Sequence, residues 1–206
     1  NHMSPDDHYQ DLKRIIASVS GKARRITVIM PMLYEGRQHK RSARESLDCA
    51  VMLQELVNMG VSNILTFDAH DPRINNAIPL SGFDNVQPTY QMIKALLKNV
   101  PDIVVDKDHL VMISPDEGAM KRYSGEMGMP YIFGVKDRDW KTGQIKRLNL
   151  AGDVSMIEGK NILIIDDICS KGGTFYYAAK ELKEAFLEMK SQTEQTFCIC
   201  IMKGLI

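Results

Sequence analysis

Ile162-Leu163-Ile164-Ile165-Asp166-Asp167-Ile168-Cys169-Ser170-Lys171-Gly172-Gly173-Thr174 reads as a strand delivered into the mouth of a helix. The four apolar residues 162–165 have the length and composition of a buried parallel strand. Two carboxylates and a Ser/Lys/Gly/Gly/Thr turn follow, and Phe175–Lys190 has the pattern of an amphipathic helix. In open parallel sheets, ligands sit beyond the carboxyl ends of the strands. A phosphate placed there gains from unpaired helix N–H groups, from the Ser170 and Thr174 hydroxyls, and from glycines that admit close backbone approach. Asp166 and Asp167 are wrong for phosphate but suit ribose hydroxyls or a metal ion. The plain alternative is an N-capped helix whose aspartates cap or form ion pairs.

Outward from this corner, β-rich runs alternate with longer amphipathic stretches, the pattern of βαβ units and a mainly parallel sheet. Strands are expected at Arg25–Met30, Ile64–Asp68, Leu110–Ser114, Tyr131–Val135, Ile162–Asp166 and Thr196–Met202. Helices are expected at Asp7–Ser18, Ser42–Met59, Pro88–Asn99, Met120–Met127 and Thr174–Lys190. Within the second helix, Leu47, Ala50, Val51, Gln54, Leu56 and Val57 give a mostly apolar stripe, and Gly60 is a natural stop. A polar stretch between Asp102 and Leu110 is the expected boundary, giving domains of residues 1–104 and 105–206. Both ends are expected to be truncated, and Asn1-His2-Met3 is given no structural role.

Lys+Arg and Asp+Glu both number 26, so neither nucleic-acid nor membrane-surface binding through global charge is expected. The longest apolar runs are strand-length, no segment has the charged, apolar and small-residue pattern of a secretory signal, and the expected location is the cytoplasm. The four cysteines, at 49, 169, 198 and 200, form neither a CxxC pair nor a zinc spacing and read as buried thiols.

Four further segments carry chemistry. In Met30–Glu45, the cations Arg37, Lys40, Arg41 and Arg44 crowd a loop after a strand, which suits a polyphosphate or else a solvated turn. In Thr66-Phe67-Asp68-Ala69-His70-Asp71, a histidine flanked by carboxylates is placed for a metal, a phosphate or a structural hydrogen bond. Ser114-Pro115-Asp116-Glu117-Gly118-Ala119-Met120-Lys121-Arg122 is an acidic turn running into a helix start. Val135-Lys136-Asp137-Arg138 ends a strand in two cations.

In this order the five segments resemble the ribose-phosphate diphosphokinase (phosphoribosyl diphosphate synthetase) family of the type I phosphoribosyltransferase superfamily, over nearly the whole chain. The acidic corner alone is shared with the phosphoribosyltransferases. The resemblance implies an α/β fold of two similar Rossmann-like domains with parallel sheets meeting at a shared cleft. It implies diphosphate transfer from Mg-ATP to ribose 5-phosphate. Arg37, Gln38, His39 and Arg44 would then hold ATP, and His70 with Asp116 would hold Mg2+. Glu117, Gly118 and Ala119 would form the pyrophosphate loop. Asp166 and Asp167 would grip the ribose, and Ser170, Lys171, Gly172, Gly173 and Thr174 its 5-phosphate. Lys136 and Arg138 would stabilise the transition state, from a loop that closes over the phosphates. A homo-oligomer, dimer or hexamer, is implied, with neither nucleic acid nor membrane as partner. Ser170 stands where the family usually has an acid, and Lys171 where it commonly has Thr. Two other readings stay open: a phosphoribosyltransferase acting on a nucleobase, and a non-catalytic regulatory relative.

Overall fold

A computed structural model of the 206-residue chain describes residues 3–41, 43–114, 123, 125, 127–138, 145–169, 172–188 and 197–201. At 136–138, 145–148, 154, 174, 185–188 and 197–201 it describes the backbone alone. The chain forms two compact units, Asn1–Pro88 and Thr89–Ile206.

In the first unit, helix α1 (Pro5–Val19) opens on a capping box. The Ser4 hydroxyl accepts the Asp7 N–H at 3.1 Å, and the Asp7 carboxylate accepts the Ser4 N–H at 3.3 Å. Strands β1 (Thr27–Ile29), β2 (Asn63–Phe67) and β3 (Gly82–Val86) form a parallel sheet in that order. Helix α2 (Asp48–Asn58) links β1 to β2, and a 3-10 turn, Pro72–Ala77, leads toward β3. Ile16, Val28, Met52, Leu53, Leu56 and Ile64 anchor the core.

Helix α2 begins later than its periodicity predicts, because Leu47 takes the left-handed conformation (φ 58°), which a helix cannot contain. Its buried face is also rotated from the predicted stripe. Cys49, Met52, Leu53 and Leu56 face inward, whereas Val51 and Gln54 are exposed. Gly60 does end the turn after α2, at φ 90°.

In the second unit, α3 (Thr89–Asn99) precedes β4 (Leu110–Ser114), β5 (Tyr131–Arg138), β6 (Ile145–Ala151) and β7 (Asn161–Asp166). Helix α4 (Gly173–Glu188) and β8 (Phe197–Ile201) follow. The sheet order is β6-β5-β4-β7-β8, parallel except for β6, an antiparallel edge strand. The division between the compact units falls ahead of α3, whose Leu96 packs with Ile103, Leu110, Met112 and Leu163. The other face of this sheet packs Ile113, Ile132, Ile162 and Ile164 beneath Phe175 and Leu182. Burial of this order stabilises by about 1.5–3 kcal/mol for each large apolar side chain.

Cys49 and Cys169 are buried free thiols, as expected. Among the described residues no helix is long and apolar enough to cross a membrane.

Candidate active-site corners

The second unit contains a topological switch point. From β4 the chain moves to β5 on one side and later returns to β7 on the other, so the strand order reverses between β4 and β7. Such reversals open a crevice beyond the carboxyl ends of the strands. Ile113 pairs with Ile164, which sets Ser114 and Asp166 at neighbouring strand ends. The Ser114 hydroxyl is buried with no hydrogen-bond partner among the described residues. The loop it opens, with Asp116, Glu117, Gly118 and Ala119, lies outside them.

Strand β7 delivers Asp166 and Asp167 to the corner before α4. Asp166 is 6% and Asp167 3% exposed, and the Asp166 Oδ1 accepts the Asp167 N–H at 3.0 Å. Both carboxylates are thus sheltered within the corner. Two sheltered acids at the carboxyl end of a central strand stand where ligands bind in open parallel sheets. Gly172 has φ 73°, a conformation that side-chain-bearing residues rarely adopt, and Gly173 opens α4. Thr174 lies in the first turn of α4, with its backbone alone described. Ser170 and Lys171 lie outside the described residues.

Lys136 and Arg138 differ from expectation in their setting. The strand predicted to end at Val135 continues to Arg138, because β6 pairs with it: Lys136 lies opposite Leu148 and Arg138 opposite Ile145. The two cations sit on the outer end of a β-hairpin, with an irregularity between Asp137 and Arg138, not on a loop after the strand.

In the first unit, the residues beyond β1 and β2 come together. Asp68 takes a left-handed backbone (φ 45°) at the end of β2; its N–H bonds the Val86 carbonyl, and Asn85 Oδ1 accepts the Ala69 N–H at 2.8 Å. These bonds fix the turn that presents His70 and Asp71. Non-glycine residues held at positive φ concentrate where function demands the geometry. The His39 and His70 rings meet edge-on, with centroids 5.3 Å apart, and His39 Nε2 lies 3.4 Å from Asp71 Oδ2. Asp71 caps the 3-10 turn by accepting the Arg73 N–H at 2.9 Å, and both its oxygens accept from the Arg73 guanidinium.

Hydrogen bonding from Arg73 holds the Asp71 carboxyl well below the usual carboxylate range, against the upward push of burial. Burial pushes the His39 imidazole below its ordinary value. Asp71 pulls the other way, and His70 and Lys40 add to the depression. His39 Nδ1 is buried without a hydrogen-bond partner among the described residues.

Arg37 and Arg44 are exposed, as are Lys40 and Arg41. Gln38 is half-buried, and its N–H donates to the Glu35 carbonyl at 2.7 Å. The loop stiffens itself: Arg41 Nε donates to the Glu45 carbonyl at 3.0 Å, and the Ala43 N–H to the Glu45 carboxylate at 2.6 Å. The structure thus joins His39 to His70 and adds Asp71 and Arg73, which the motif reading left without a role. Asp-Pro in the turn beyond a strand is a capping signal that could have singled out Asp71. Among the described residues no group of three or more His, Cys, Asp or Glu side chains is placed to hold a metal ion. A cavity of about 460 Å³ between α1 and β1 is lined by Tyr9, Leu12, Met30, Met32 and Tyr34, and contains none of the predicted site residues.

Residues 1–60 match the N-terminal domain of ribose phosphate pyrophosphokinase, and residues 110–193 match the phosphoribosyl transferase domain. The ribose-phosphate pyrophosphokinase of Chlorobaculum tepidum is 32% identical over 88% of this chain and 54% of its own length. That of Saccharolobus solfataricus is 29% identical over 77% of this chain and 52% of its own length. The chain therefore spans about half the length of the curated relatives it matches. The phosphoribosylpyrophosphate synthetase structure from Mycobacterium smegmatis superposes with a TM-score of 0.73 at 23% identity, over 94% of this chain and 59% of that one, which establishes a shared fold. The chain belongs to the ribose-phosphate pyrophosphokinase family.

Proposed function

We propose that this chain carries the substrate-binding residues of a ribose-phosphate diphosphokinase, making phosphoribosyl diphosphate and AMP from Mg-ATP and ribose 5-phosphate. The observation that carries the reading is the switch point of the second unit, where β7 ends at Asp166, Asp167 follows, and a glycine-containing turn leads into α4. A plain phosphate site needs no such pair of acids; a sugar phosphate does, for its hydroxyls. The first unit supports the nucleotide half through its exposed cations and the His39–His70 pair.

The 1-hydroxyl of ribose 5-phosphate attacks the β-phosphorus in line. An O–P bond forms there, the bond from the β-phosphorus to the bridging oxygen breaks, AMP leaves with that oxygen, and the hydroxyl proton passes to solvent. Asp166 and Asp167 hold the ribose hydroxyls, while residues 170–174 hold the 5-phosphate. Arg37, Gln38, His39 and Arg44 hold ATP, and Lys136 and Arg138 stabilise charge that develops on the transferring group. Mg2+ prefers oxygen ligands, retains several waters and rides largely on substrate phosphates, so it asks the protein for one or two donors. Asp116 would supply an oxygen donor and His70 a less favoured nitrogen donor, and the ion would neutralise phosphate charge. Glu117, Gly118 and Ala119 cradle the pyrophosphate. We place the protein in the cytoplasm, as a homo-oligomer.

Incubating the chain with ATP, ribose 5-phosphate and magnesium should release AMP. Lys136→Ala should slow turnover far more than it weakens nucleotide binding. Absence of AMP from the wild-type chain overturns the assignment.

A further inference from the structure

We infer that Asp71 is a positioning residue for the nucleotide site, a strut joining the cation-rich loop after β1 to the corner after β2. The inference rests on the nucleotide-binding reading of the first unit. Asp71 lies outside the motif residues assigned to ATP or metal, yet it touches the machinery from both directions. Its Oδ2 sits 3.4 Å from His39 Nε2, on the loop that carries Arg37 and Gln38. Its backbone directly follows His70, whose ring meets that of His39. One carboxylate thus links the only two imidazoles that meet edge-on among the described residues.

The strut is itself locked. Arg73 donates Nε and Nη2 to the two carboxylate oxygens, and the Arg73 N–H adds a third bond. A carboxylate gripped by a planar guanidinium fork has little rotational freedom. It is also sheltered: the Asp71 and His39 side chains are each 11% exposed, whereas that of Arg73 is 78% exposed. The charge balance fits the role. A buried acid pinned by an outward-facing arginine cannot swing toward an incoming polyphosphate, which it would repel. Its negative charge is spent on Arg73, and the Arg37, Lys40 and Arg44 heads stay exposed for the anion. Catalytic and binding groups need such support, because small misplacements of a site cost binding and rate steeply.

The test compares the wild-type chain with Asp71→Asn and Arg73→Gln. Asparagine keeps an oxygen able to cap the 3-10 turn but cannot accept from His39 and the guanidinium together. Imidazole nitrogen NMR signals report the His39–His70 pair directly, without any need for activity. Calorimetry with Mg-ATP reports affinity, and ribose 5-phosphate serves as the second probe. Asp71→Asn should move the signals of both histidines and weaken Mg-ATP by about tenfold, the scale of one charge-assisted contact, with ribose 5-phosphate affinity unchanged. Arg73→Gln should move the same signals less and weaken Mg-ATP less. A merely structural Asp71 would lower the melting temperature and leave the folded protein's affinity as it was, which overturns the inference. Unmoved imidazole signals in both variants overturn it as well. A wild-type chain that binds no Mg-ATP is a distinct failure: it removes the nucleotide reading, and the positioning role with it, whatever the histidine signals show.

Discussion

Tyr9 of α1 stacks on Tyr34 of the loop after β1, with ring centroids 4.9 Å apart and planes inclined by 23°. Each phenol donates to an acid: Tyr9 to Glu55 at 2.6 Å and Tyr34 to Asp6 at 2.7 Å. The Lys13 ammonium lies over the Tyr9 ring, 4.8 Å from its centroid. The pair clamps α1 to the strand that feeds the cation-rich loop. Its hydrogen bond to Asp6 pushes the Tyr34 phenol from 10.0 up to about 12, and burial pushes Tyr9 up as well.

Both phenols bind their protons more tightly in the folded chain than in the unfolded one. The stabilisation is therefore complete below pH 10.0; the Tyr34 share is lost as the pH rises through about 12, and the Tyr9 share at higher pH still. Tyrosinate absorbance should show the Tyr34 phenol ionising late, near pH 12, a component that Tyr34→Phe removes, and Tyr34→Phe should reduce the loss of stability across that window.

The cap of α1 gives a second expectation. Ser4→Ala removes the hydroxyl that accepts the Asp7 N–H, and should cost about 1 kcal/mol. Urea unfolding checks it: the midpoint should fall while the slope stays unchanged, since neither end state changes its exposed surface.

Strand β2 distinguishes its two faces sharply. Ile64 is fully buried, whereas Phe67 is 37% exposed. Ile64→Ala should cost about 2–5 kcal/mol, through lost burial and the cavity left behind. Phe67→Ser should cost well under half of that. Equal costs in denaturant titrations would mean that the register of β2 is wrong.

Asp166→Asn tests the corner of the second unit. Under the proposed function it should weaken ribose 5-phosphate binding by about tenfold or more while leaving Mg-ATP affinity near wild type, as calorimetry would read. Unchanged affinity for ribose 5-phosphate would remove the carboxylate from the sugar site.

The acidic corner was legible because its signal is local: apolar residues, then two acids, then glycines, all within one turn of chain. The same holds for Leu110–Ser114, where strand and expectation coincide. Gly82–Val86 escaped notice because Gly-Phe-Asp-Asn-Val contains no apolar run; β2 makes it a strand by pairing Phe83 with Ile64 and Val86 with Phe67. Ile145–Ala151 escaped for the same reason, and its pairing with β5 moved Lys136 and Arg138 from a loop into a hairpin. The α2 start was misjudged because a left-handed Leu47 leaves no mark in the periodicity.

The sequence by itself determined the alternation of strands and helices, and which strand ends carry acids and which carry cations. Apolar runs and helical periodicity act over a few neighbouring residues, so they are readable in one dimension. Only the tertiary structure decided that β4 and β7 lie side by side, and that His39 meets both His70 and Asp71. Strand order and the partners of a buried charge depend on which distant segments pack together, and no spacing along the chain encodes that choice.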